Sequence, residues 1–88
     1  MAYEWDDAKR HATIIKHGID FVLACQILEE RNVRSEKVVD GEIRYIAVGR
    51  YEENYIAIVY TIRGANVRLI TARKARTNER RVYRELYD

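Results

Sequence analysis

From Val33 onward the chain alternates apolar and polar residues with a period of two, and turn signals interrupt it almost at once. Val33–Val39 and Glu42–Gly49 flank Asp40-Gly41, the strongest short-range signal for a tight hairpin. Asn54–Arg63 contains Tyr-Ile-Ala-Ile-Val-Tyr-Thr-Ile, apolar on both faces as a central strand must be. Gly64-Ala65 can turn it into Asn66–Lys74. An antiparallel meander of about four strands follows, and such a sheet needs helices over at least one face.

A two-residue turn at Gly64-Ala65 pairs Arg63 with Asn66, Thr61 with Arg68 and Ile58 with Thr71. That register places Ile56, Ile58, Tyr60, Ile62, Val67 and Leu69 on one core face, with Arg63 and Lys74 on the other. A slip of one residue would exchange the faces of the second strand.

Helical spacing supplies the cover. Tyr3-Glu4-Trp5 reads as a very short strand, with Trp5 an anchor between the first helix and the sheet. Asp6 caps a helix running to about His17, with Ala8, Ala12 and Ile15 on one face. Gly18 is its left-handed stop, and Ile19 folds back on its end. Asp20 caps a second helix with a buried stripe of Phe21, Ala24, Cys25 and Leu28. A last helix runs from Thr77 to Tyr87, with Thr77 or Asn78 as cap and Val82, Leu86 and Tyr83 as its apolar face. The class is α+β, in the order (β)-α-α-β-β-β-β-α. With no proline and no linker, residues 1–88 read as one domain, near the lower size limit for a self-sufficient core.

The net charge of +2 is modest, but its distribution is not. Residues 1–44 hold seven Lys/Arg against nine Asp/Glu, whereas residues 45–88 hold nine against five. Arg68, Arg73, Lys74, Arg76, Arg80, Arg81 and Arg84 crowd the last strand and helix, where Glu79 and Glu85 are the only acids before the final Asp88. Such density suits a surface that meets phosphates, against the alternative of a solvated helix face. Cys25 is the only cysteine, so no internal disulfide forms, and its apolar setting reads as an inert thiol in a reducing compartment. The polar, acidic start resembles neither a signal peptide nor a membrane span, which points to the cytoplasm and away from the membrane. His11 and His17 lack any ligand spacing, so neither a metal site nor a cofactor is expected.

Three groups of motifs stand in order along the chain. They are Trp5-Asp6-Asp7-Ala8-Lys9 with Lys16-His17-Gly18-Ile19-Asp20-Phe21; Gly41-Glu42-Ile43-Arg44 with Gly49; and Ile70-Thr71-Ala72-Arg73-Lys74-Ala75 with Glu79-Arg80-Arg81-Val82-Tyr83. Together, from Tyr3 to Glu85, they resemble the BrnT family of type II toxins, small ribonucleases of RelE-like fold encoded beside a BrnA antitoxin. The family often has Asn where this chain has Thr13, which keeps a hydroxyl and loses the amide.

The resemblance implies metal-free RNA cleavage, in which the ribose 2′-OH attacks the adjacent phosphate and leaves a 2′,3′-cyclic phosphate and a 5′-OH. It also implies inhibited translation and growth, a BrnA-like ribbon-helix-helix antitoxin that occludes the basic face, and operator DNA bound only by the complex of the two. The chemistry needs one group to take the 2′-OH proton, one to protonate the leaving oxygen, and fixed cations for the developing charge. Arginine suits only the last role. Arg63, Arg73 and Arg80 are accordingly read as phosphate-stabilising, and His17 and Glu79 as proton-transfer or orienting groups. Lys74, Arg76 and Arg68 extend the RNA track, and Tyr83 is the tyrosine read as stacking on a base. Lys9 and Lys16, on the first helix, are read as solvated, with joining the RNA surface as the lesser alternative. Other readings of the same residues are a non-catalytic nucleic-acid- or partner-binding module, or a decayed toxin still held by its antitoxin.

Overall fold

Asp40 and Gly41 both take positive φ, 51° and 76°, the geometry that lets a two-residue loop match the twist of its flanking strands. The computed structural model describes residues 2–88 and builds outward from such turns. Its elements are β1 (Ala2–Glu4), α1 (Asp7–His17), α2 (Phe21–Glu29), β2 (Asn32–Val39), β3 (Glu42–Tyr51), β4 (Asn54–Arg63), β5 (Asn66–Lys74) and α3 (Thr77–Tyr87). The sheet order is β1-β5-β4-β3-β2, so the doubly apolar β4 is central. β2 to β5 form the antiparallel meander, while β1 joins β5 in parallel, giving an α+β fold with a mixed five-stranded sheet.

Arg63 pairs with Asn66 and Thr61 with Arg68, but the register shifts between Val59 and Tyr60. Ile58 consequently faces Ala72, not Thr71, and Ile70 is the extra residue of a β-bulge. Val67 and Leu69 keep the face of Ile58 and Tyr60, and beyond the bulge Ala72 joins them. Arg73, opposite Ala57, turns to the other face, where Arg63 also lies. Lys74, opposite Ile56, is thereby separated from Arg63, contrary to the unbulged register.

α2 covers the first face. Phe21, Ala24 and Ile27 are buried against Ala47, Ile56, Ile58, Leu69 and Ala72. Phe21 is fully buried and meets Trp5 edge-on at 5.9 Å; burial of such a side chain contributes about 1.5–3 kcal/mol. α3 covers part of the second face through Tyr83, which packs on Val48 and Ala57. Tyr83 carries that contact where Val82 and Leu86 were also expected; those two are 42% and 62% exposed.

α1 departs most from its expected packing. Ile15 is 72% exposed, and Thr13 is the buried residue of this helix. The reason lies in β1, which pairs only with Asn66, Val67 and Arg68. The remaining edge of β5 lies against α1, while the apolar sheet face is already filled by α2. The Asp6 cap and the left-handed Gly18 stop hold α1 as expected. Asp20 caps α2 and is clamped by Arg10 through two bonds of 2.8 and 2.9 Å, which lock the helix hairpin.

Gly49 sets how closely α2 approaches the sheet. A Cβ there would stand 2.4 Å from the Ile27 Cγ2 atom, inside the core. Gly49→Ala should therefore destabilise the fold by about 1–3 kcal/mol, the usual cost of overpacking. Urea unfolding checks this, and an unchanged midpoint would mean that α2 can ride outward freely.

Candidate nucleic-acid interface

The start of α3 organises the second sheet face. The Ala75 N–H donates to the Tyr55 carbonyl at 2.9 Å, carrying the ladder just past β5 before the helix begins. Arg76, not Thr77 or Asn78, is the N-cap residue. It has no side-chain acceptor to offer, so its own N–H donates to Glu79 Oε1 at 2.8 Å. The same carboxylate accepts both terminal nitrogens of Arg73, at 2.8 and 3.0 Å.

This pair is mostly withdrawn from solvent, with the two side chains 17% and 15% exposed. The bonds from Arg73 hold the Glu79 carboxyl below its usual range, and the bonds to Glu79 raise Arg73 above its own. Such a carboxylate is a weak base, suited to orienting an arginine and completing a helix cap. Arg73 keeps two unspent N–H groups, because a guanidinium has five, two satisfy Glu79 and a third reaches the Lys74 carbonyl at 3.4 Å.

Arg44, Arg63, Arg68 and Arg73 share this face by strand alternation. Arg68 is matched by Glu4 at 2.7 Å, and Asn66 holds the same carboxylate at 3.0 Å. Arg63 stands at the closed end of the β4–β5 hairpin, six residues along β4 from Arg73's partner Ala57, or roughly 20 Å away. Arg44 was absent from the sequence-derived candidates. Its Nε is buried without a hydrogen-bond partner, and its nearest carboxylate, Glu42, is 3.9 Å away. The signal was available: Arg44 alternates with Ile46 and Val48, which places it on their face.

The arginines of α3 look elsewhere. Arg80, Arg81 and Arg84 line a shallow hollow of about 500 Å³ with Thr77, Glu85 and Asp88 on the helix surface. Arg76 is exposed at the helix start, and Lys74 is exposed on the α2 face of the sheet. Arg63, Arg73 and Arg80 therefore occupy three separate regions. Tyr83 is 5% exposed with its ring edge-on to Tyr55 at 5.7 Å, so it anchors the helix and is not presented for base stacking.

His17 is brought into the picture from α1. With Lys9, Thr13, Lys16, Ile70 and Thr71 it lines a hollow of about 220 Å³ between that helix and the bulge. Thr71 lies two residues before Arg73 on the same strand face. His17 thus shares a hollow with Thr71, which stands two residues from Arg73 on β5. Among the described residues, no three His, Cys, Asp or Glu side chains cluster as a metal site requires. No helix among the described residues is long and apolar enough to cross a membrane. Burial raises the Cys25 thiol, which suits an inert core-edge residue.

A family model described as ribonuclease toxin, BrnT, of type II toxin-antitoxin system matches residues 5–79. The chain belongs to the BrnT family. No curated protein matches it. Membership makes it a ribonuclease toxin, with RNA as substrate and an antitoxin as partner. The BrnT match takes in the α1 hollow, the bulge and the Arg73–Glu79 pair, and stops before Arg80, Tyr83 and Arg84.

The pair makes a pH prediction. Glu79 titrates lower in the folded chain than at its ordinary unfolded value, because Arg73 bonds to its carboxylate. Its contribution is complete above the unfolded value and is lost as pH falls through the folded one. The stability advantage of wild type over Glu79→Gln should shrink across that window in denaturant titrations. A gap that stays constant would mean that the charge contributes nothing.

Proposed function

We propose that this BrnT-family chain cleaves RNA without a metal ion, by attack of a ribose 2′-oxygen on the adjacent phosphorus. The 2′-OH proton passes to His17 and is returned to the departing 5′-oxygen, leaving a 2′,3′-cyclic phosphate and a 5′-OH. Arg73, with its fork fixed by Glu79, stabilises the charge that develops on the phosphoryl oxygens. Arg44 and Arg63 guide the strand along the sheet face. Arg68 is neutralised by Glu4 and contributes less, while Arg76 and Arg80 act at longer range. Cleavage inhibits translation and arrests growth. A BrnA-like ribbon-helix-helix antitoxin covers the basic face, and operator DNA is bound by the complex of the two.

The observation that carries this reading is an arginine already oriented by a carboxylate, two residues along β5 from Thr71, which shares a hollow with His17. Arg73→Lys tests it with the charge retained, since an ammonium cannot reproduce a two-pronged contact. Cleavage of RNA in the presence of a chelator should fall about 10²–10³-fold in folded Arg73→Lys, as when an oxyanion donor is removed. His17→Ala should lose comparable activity, and Arg80→Ala should change mainly the salt dependence. Metal-dependent cleavage, or full activity in both Arg73→Lys and His17→Ala, would overturn the mechanism. RNA binding without any cleavage by wild type would favour a non-catalytic binding module.

A further inference from the structure

The hollow between α1 and β5 holds more than His17. Lys9, Thr13, Lys16 and His17 fall at i, i+4, i+7 and i+8, one stripe of the helix, and that stripe lines the hollow facing Ile70 and Thr71. Among the described residues, no carboxylate lines it. The helix's other cation, Arg10, is tied to Asp20 at 2.8 Å, whereas no carboxylate lies within 4 Å of Lys9, Lys16 or His17 among the described residues. The lysines stand about 10 Å apart along the helix axis, and their four-carbon stems can converge on one anion.

A stripe meant only for packing would be apolar. Here the aliphatic residues Ile14 and Ile15 are turned outward, 39% and 72% exposed, while the cations line the concave side. Thr13 donates its hydroxyl to the Lys9 carbonyl at 2.8 Å, which spends its polar group within the helix. Thr71, on β5, lines the same hollow as the lysines of α1. Concentrated positive charge with no internal partner, around a hollow of about 220 Å³, suits a phosphate in size and sign.

We infer that Lys9, Lys16 and Thr71 form a phosphodiester subsite of the RNA, seating one backbone phosphate in the α1–β5 hollow. This rests on the ribonuclease reading and deepens it. The subsite sets the strand's direction, from the sheet face of Arg73 across Thr71 and onto α1. It also brings the neighbouring ribose to His17. Lys9 and Lys16 are binding groups, so their loss raises KM more than it lowers kcat.

The test uses a short 2′-O-methyl RNA, which binds but cannot be cut, with affinity followed against salt for wild type, Lys9→Ala/Lys16→Ala and Lys9→Arg/Lys16→Arg. A log–log slope is about −0.7 per phosphate neutralised on a single strand, so losing the one phosphate seated here should flatten it by about 0.7 in the alanine pair. The arginine pair should restore the slope, and His17 imidazole NMR signals should move on binding in wild type and not in the alanine pair. An unchanged slope with unchanged His17 shifts would overturn the subsite, whatever cleavage shows. Cleavage of unmodified RNA is scored separately. A flattened slope in a wild type that cuts nothing would keep the subsite and defeat the ribonuclease reading.

Discussion

The whole second face of the sheet depends on one extra residue. Ile70 has no partner on β4, so the strand carries Leu69 and Ala72 into the same core despite their odd spacing. A regular ladder offers no such choice, since alternation would send Ala72 outward and turn Arg73 toward α2. The bulge lets one strand bury three apolar side chains on the α2 side and still deliver an arginine to the α3 side. It falls just beyond the point where β1 stops pairing with β5 and α1 takes over the edge. Bulges gather where a strand must re-aim a side chain, and this one re-aims Arg73.

What Arg73 meets there ties the last helix to the sheet. Glu79 completes the start of α3 and holds the arginine at the same time, so one carboxylate serves the helix end and the candidate site together. The far end of the helix is secured independently. Tyr55 donates its hydroxyl to Asp88 at 2.6 Å and meets Tyr83 edge-on. Removing one member of a half-buried ion pair leaves the other unpaired, which costs more than the pair itself contributes. A site built this way resists drift, because displacing Arg73 also loosens the first turn of α3.

Much of this was legible in the chain. The Asp40-Gly41 turn, the central β4, the Asp6 and Asp20 caps and the Gly18 stop are local signals, and each stands where its chemistry places it. The motifs resembling BrnT were equally plain and agree with the family match. What could not be read was long-range. The bulge leaves no mark in the composition of β5, so the faces of Arg73 and Lys74 were beyond a pattern argument. α1 shows the same limit, because Ile15 looks like a core residue until α2 is seen to occupy the core. Tyr83 could be read both as part of the apolar face of α3 and as a base-stacking aromatic, and it alone in α3 is buried.

The distribution of matched charges sharpens where an anion would settle. Arg10, Arg68 and Arg73 each have a carboxylate at 2.7–2.8 Å, so an incoming phosphate must share or displace a partner. Lys9, Lys16 and Arg63 have none within 4 Å among the described residues. Exposed unmatched cations attract a phosphate backbone from a distance, and salt screens that attraction readily. A half-buried, carboxylate-held arginine adds little to that long-range pull, but its N–H groups are fixed in place before the substrate arrives, the condition for stabilising a transition state. On the proposed reading the sheet face and the α1 hollow divide the work. Loose cations gather the strand, and Arg73, its fork held by Glu79, meets it where β5 and α3 join.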